Sequence, residues 1–96
     1  MLHAKDANDL STTVRENRIR DSAKSLIALI DDDIRQNAMN GLDYLNFETT
    51  SLAKEVLDVV EAELLKNNYI IYHSESNYKK QWDIRWHTVK GDNEKI

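Results

Sequence analysis

From Ile19 to Ala38 the apolar residues recur at steps of three and four: Ile19, Ala23, Leu26, Ile27, Ile30, Ile34 and Ala38. That spacing lays them along one stripe of an α-helix. Thr13 followed by Glu16 has the spacing of a capping box, in which each side chain meets an orphan backbone N–H. Gly41 follows the last turn and suits a left-handed stop. The pattern predicts a helix over 14–40, with Asp31 and Arg35 four apart on its wet side and able to pair weakly. Residues 1–12 are polar without a clear period and read as a mobile tail, or an arm that orders on a partner.

"LDYLNF" (42–47) has aromatic residues and no helical period, so it reads as a short strand. Thr49, Thr50 and Ser51 then offer helix caps. A second helix is expected over 51–67, with Leu52, Val56, Leu57, Val59, Val60 and Leu64 on its apolar face. Lys54, Glu55, Asp58, Glu61 and Lys66 form its wet face. Asn67 and Asn68 end it, because asparagine tolerates the left-handed conformation. Beyond them the period changes from near four to two. "YIIYHS" (69–74) and "QWDIRWHTV" (81–89) read as strands, joined by the polar loop 75–80. The expected fold is α+β: helix, strand, helix, hairpin, with a three-stranded antiparallel or mixed sheet packed against both helices on one face. One domain over 13–90 follows, with charged residues 91–96 as a second tail.

The stretch "KKQWDIRW" interleaves cations with aromatics, as a nucleic-acid platform can. It also alternates as a strand does. Trp82, Ile84 and Trp86 point one way and Asp83, Arg85 and His87 the other. Burying two indoles serves a small core well, so the tryptophans are expected inside. The partner strand has two partly apolar faces. With Ile70 and Tyr72 beside the tryptophans, Tyr69 and Ile71 fall outside near Arg85 and His87. A one-residue slip exchanges the faces. A sheet surface mixing aromatic, aliphatic and cationic groups suggests contact with a partner. Tyr69, Ile71, Arg85 and His87, with Tyr44 near the first strand, are therefore the candidate ligand-binding residues. Arg85 can pair with a phosphate or carboxylate, Tyr69 can stack and His87 can donate.

Composition narrows the chemistry. The chain has 96 residues, a net charge of −4 and no cysteine. Disulfides, thiolate nucleophiles and cysteine-based zinc sites are thereby excluded. No apolar run approaches the roughly 20 residues that span a bilayer, and no basic-then-apolar leader opens the chain. Mild acidity lowers the expectation of duplex binding, which draws affinity from phosphate contacts. His3, His73 and His87 show no metal-site spacing. Asp31, Asp32 and Asp33 are consecutive, so on a helix they point in different directions. With two glycines there is no phosphate-binding or dinucleotide loop. No enzyme, cofactor or metal is expected.

A helix reaching back to Val14 is roughly 40 Å long at 1.5 Å per residue. It overhangs strands of about 20 Å. Another subunit is the economical cover, with Leu29 and Met39, off the main stripe, as further contacts. A helix closing with "NAMNG", another closing with "LLKNNYIIY" and an end in "WDIRW" together resemble a recurring kind of small tailed-phage accessory protein. The resemblance covers about residues 20–87. It implies a product acting in the bacterial host cytoplasm, often as an oligomer, and carries no shared activity. The expectation is a non-enzymatic binding protein that inhibits a host defence factor, by sequestering a small anionic ligand or blocking a host protein. The alternatives are a winged-helix-like nucleic-acid-binding regulator, suggested by Lys79, Lys80 and Arg85 on a hairpin, and a minor virion or assembly protein.

Overall fold

The computed structural model describes residues 1–86, and its first element, α1 (Ala4–Met39), is one uninterrupted helix. At 1.5 Å per residue its 36 residues extend about 54 Å. The helix starts well before Thr13, at Ala4 with His3 as N-cap, so Thr13 and Glu16 lie inside it rather than capping it. The reason is local. Ala4, Lys5, Ala7 and Leu10 favour helix, and no glycine or proline interrupts the segment. Asp6 sits in the first turn, where the helix dipole favours an acid. Lys5 and Asp9 approach to 3.5 Å one turn apart.

Both helices end in the same way. After α1, the Gly41 N–H donates to Ala38 O at 3.0 Å and the Leu42 N–H to Asn37 O at 2.9 Å. Gly41 has φ +83°. After α2 (Lys54–Lys66), the Asn68 N–H donates to Leu65 O at 3.0 Å and the Tyr69 N–H to Leu64 O at 3.1 Å. Asn68 has φ +71°. These paired bonds, with a left-handed residue just past the cap, form a Schellman stop. Gly41→Ala should cost about 1 kcal/mol, because a Cβ strains that backbone although nothing lies within 4 Å of it. Asn68→Gly should stabilise by less than that. Urea midpoints of the two variants check both signs.

The sheet has three strands, β1 (Tyr44–Glu48), β2 (Ile70–Ser76) and β3 (Lys79–Arg85), in the order β1-β3-β2. Both pairings are antiparallel. β3 takes the centre, and Trp82 and Ile84 are among the most buried side chains. The expected loop at 75–80 shrinks to Asn77-Tyr78, since Glu75 and Ser76 pair with Lys80 and Lys79. Asn77 supplies a positive φ for this tight turn.

Thr49 and Thr50 do not cap α2, whose N-cap is Ala53 without a side-chain bond. They continue the sheet instead. The Thr49 N–H donates to Lys80 O at 2.8 Å, and Thr50 Oγ1 accepts the Lys80 N–H at 2.9 Å. Asn37 Nδ2 donates to Tyr44 O at 2.9 Å and ties the end of α1 to β1.

Both helices pack on one face of the sheet. Ala23, Ile30 and Ile34 from α1 meet Val60 and Leu64 from α2 over Leu45, Trp82 and Ile84. Of the expected stripe, Leu26 and Ile27 flank this core, Ile19 is half-buried and Ala38 is exposed. Arg35 Nε does reach Asp31 Oδ2, at 3.0 Å across an exposed turn. No side chain between Ala4 and Ser22 is buried. The N-terminal half of α1 is thus an arm projecting from the body. Residues 87–89 of the expected third strand, and 91–96, lie outside the described residues.

Candidate functional site

The strand register sorts the sheet residues into two faces. Leu45 and Ile71 pair with Ile84, and Phe47 and His73 pair with Trp82. These share the face under the helices, because directly opposed residues project to the same side. Tyr69 joins them through an edge-on contact with Trp86, at 6.2 Å between ring centroids. The other face carries Tyr44, Asn46 and Glu48 from β1, and Ile70, Tyr72 and Ser74 from β2. Gln81, Asp83 and Arg85 run between them. Neither helix packs against this second face.

The expected placement of the partner strand is therefore corrected by one residue. Tyr69 and Ile71 lie on the core side, partly buried against it. Ile70 and Tyr72 take the outer positions, and Tyr72 is 56% exposed. Of the candidate residues, the structure brings Tyr44 and Arg85 together. It separates them from Tyr69 and Ile71, and His87 lies outside the described residues. One sequence signal points to this outcome. Tyr69 is the residue after the left-handed Asn68, and that position in a Schellman stop often packs back against the helix it terminates.

Arg85 centres the outer face. It lies in register between Tyr44 and Ile70. Its guanidinium carbon is 5.3 Å from the centroid of the Tyr44 ring, a cation–π distance. Nε donates to both oxygens of Asp83 at 3.2 Å, and Nη2 donates to Oδ2 at 3.0 Å. These hydrogen bonds raise the Arg85 pKa further above its ordinary value, while partial burial opposes them. Asp83 lies in register between Asn46 and Tyr72. The charge at the centre of the face is thus balanced internally and held in a fixed geometry. Lys79 and Glu48 add one charge of each sign at the far end.

Other chemistry is sparse among the described residues. His73 Nε2 lies 2.9 Å from Glu61 Oε2, and its ring stacks on Trp82 at 5.8 Å and 15°. This pair ties β2 to α2. No group of three or more histidines and carboxylates is placed to hold a metal among the described residues. A cleft of about 440 Å³ between the helices is lined by Lys24, Ile27, Asp31, Glu63, Asn67 and Tyr69. A second groove, of about 470 Å³, runs along Ser22, Ser25, Leu29, Leu52 and Val56. No described helix is long and apolar enough to cross a membrane. Comparison of the chain with protein-family models, curated proteins and solved structures finds no match.

Proposed function

We propose that this is a non-enzymatic binding protein that grips a partner protein with the sheet face opposite its two helices. In line with its resemblance to small tailed-phage accessory proteins, the target is a host defence factor in the bacterial cytoplasm, and binding blocks it. One observation carries the reading: a sheet face, with Tyr44, Ile70 and Tyr72 around the hydrogen-bonded Asp83–Arg85 pair, has neither described helix over it. Aromatic residues with a central arginine are the composition that anchors protein interfaces.

Internal charge pairing on this face favours a protein surface over a sequestered small anion. Arg85 is already engaged by Asp83, so a free anion would have to compete for it. The nucleic-acid alternative draws less support, because Glu48 and Asp83 offset Lys79 and Arg85 on this face.

Affinity capture from host-cell lysate tests the proposal, using the wild type, Tyr72→Ala, Arg85→Ala and Arg35→Ala. A partner held by the wild type and by Arg35→Ala should bind Tyr72→Ala and Arg85→Ala at least tenfold more weakly, as anchor residues do. Equal retention by all four would remove the sheet face as the contact surface.

A further inference from the structure

The arm of α1 carries an apolar stripe of its own, formed by Ala7, Leu10 and Val14. Leu10 is 59% exposed and Val14 38%. At about 100° per residue, this stripe lies roughly half a turn around the helix from Ala23, Ile30 and Ile34. It therefore does not extend the core stripe, and it faces away from the protein's own body. We infer that a second copy of this chain covers it, the two arms pairing antiparallel about Thr12 to make a dimer.

Length and charge both select that occupant. The unburied arm runs from Ala4 to Ser22, about 28 Å at 1.5 Å per residue. An antiparallel pair centred on Thr12 brings each arm tip to the point where the partner enters its own core, just before Ala23. The two bodies then sit at opposite ends of the paired arms. In this register Leu10 meets Val14 of the partner subunit twice, and Ala7 meets Asn17 of the partner subunit. These are the a and d layers of a short coiled coil.

The flanking charges are self-complementary. Asp6 and Arg20 both occupy the position just before an a residue, and in an antiparallel pair those positions meet. Each dimer then has two Asp6–Arg20 pairs, one at either end. A parallel pair would instead set Asp6 against Ser11 of the partner subunit and Arg20 against Ser25 of the partner subunit, leaving both charges unmatched. This inference is independent of the sheet-face reading, because it uses no residue of the sheet.

Sedimentation equilibrium of the full chain tests it. The wild type should be a reversible dimer at micromolar concentration. Leu10→Asp should be monomeric, with the thermal unfolding of the sheet and its helices retained. Asp6→Arg and Arg20→Asp should each weaken the dimer about tenfold, since each reversal creates two repulsive contacts. Asp6→Arg combined with Arg20→Asp should restore wild-type affinity. A wild type that stays monomeric at several hundred micromolar overturns the inference. So does a dimer indifferent to Leu10→Asp, or a double variant no tighter than the single ones.

Discussion

Trp82→Ala is expected to lower the free energy of unfolding by about 3–5 kcal/mol. Trp82 sits on the central strand, 5% exposed, between Phe47 and His73 in register. Its ring also stacks on His73, which is bonded to Glu61 of α2. Removing the indole leaves a cavity beneath both helices and frees the link between β2 and α2. The effect is large relative to the whole, since domains of this size are held by about 5–15 kcal/mol. The projecting arm deepens the vulnerability, because no residue before Ala23 is fully buried. The body alone supplies the core. Urea unfolding followed by circular dichroism measures the loss, and Trp82→Phe should recover part of it by refilling the cavity. A loss below about 1 kcal/mol would mean that Trp82 is not a core residue.

The α+β class, the two helices and the three strands follow from periodicity. The stripe through Ala23, Ile30 and Ile34 is long enough that propensity and burial agree. The two helix stops are equally plain, since Gly41 and Asn68 are the residue types that a left-handed backbone accepts. The start of α1 was not legible from hydrophobic pattern. Its arm has only three apolar stripe positions, half a turn from the core stripe, and within one chain its helicity comes from alanines, a leucine and the Lys5–Asp9 pair rather than from burial in the core. Thr13 and Glu16 matched a capping motif without serving as one, because nothing upstream of them breaks the helix. Likewise Thr49 and Thr50 match cap residues, yet their backbone and hydroxyl groups are used by Lys80.

Register was the harder inference, and it governs the candidate site. "YIIY" presents an aromatic and an isoleucine to each face, so apolar content does not decide between them. The decision comes from outside the strand. The stop at Asn68 turns Tyr69 back toward Leu64, and His73 is placed to reach Glu61 across the helix–sheet boundary. Those two attachments fix the parity of the whole strand. Arg85 was legible as an outer residue from the alternation of β3, whereas Tyr44, on a different strand, was marked only by its place near the first strand and is set on that face by its pairing with Arg85. Asp83 joined them as a partner rather than a bystander, because residues two apart on a strand share a face.

That parity gives a paired expectation in which stability and binding respond oppositely. Tyr69→Ala should cost about 2 kcal/mol of stability, through lost apolar burial and the lost contact with Trp86. Tyr72→Ala should change stability by no more than about 0.5 kcal/mol, since its side chain is mostly in solvent. In binding the order reverses. Tyr72→Ala removes an exposed aromatic next to the Asp83–Arg85 pair and should weaken partner capture at least tenfold. Tyr69→Ala, assayed where it remains folded, should bind almost as the wild type does. Both variants remove the same phenol, one just before β2 and one within it on the opposite face, so side-chain chemistry is held constant while the face differs. If Tyr72→Ala proved the destabilising one, the strand would be shifted by one residue and the contact surface would belong to Tyr69 and Ile71. If neither affected capture while Tyr69→Ala still destabilised, the register would stand. The partner would then be held elsewhere, and the groove beside Leu29 and Leu52 would be the next surface to substitute.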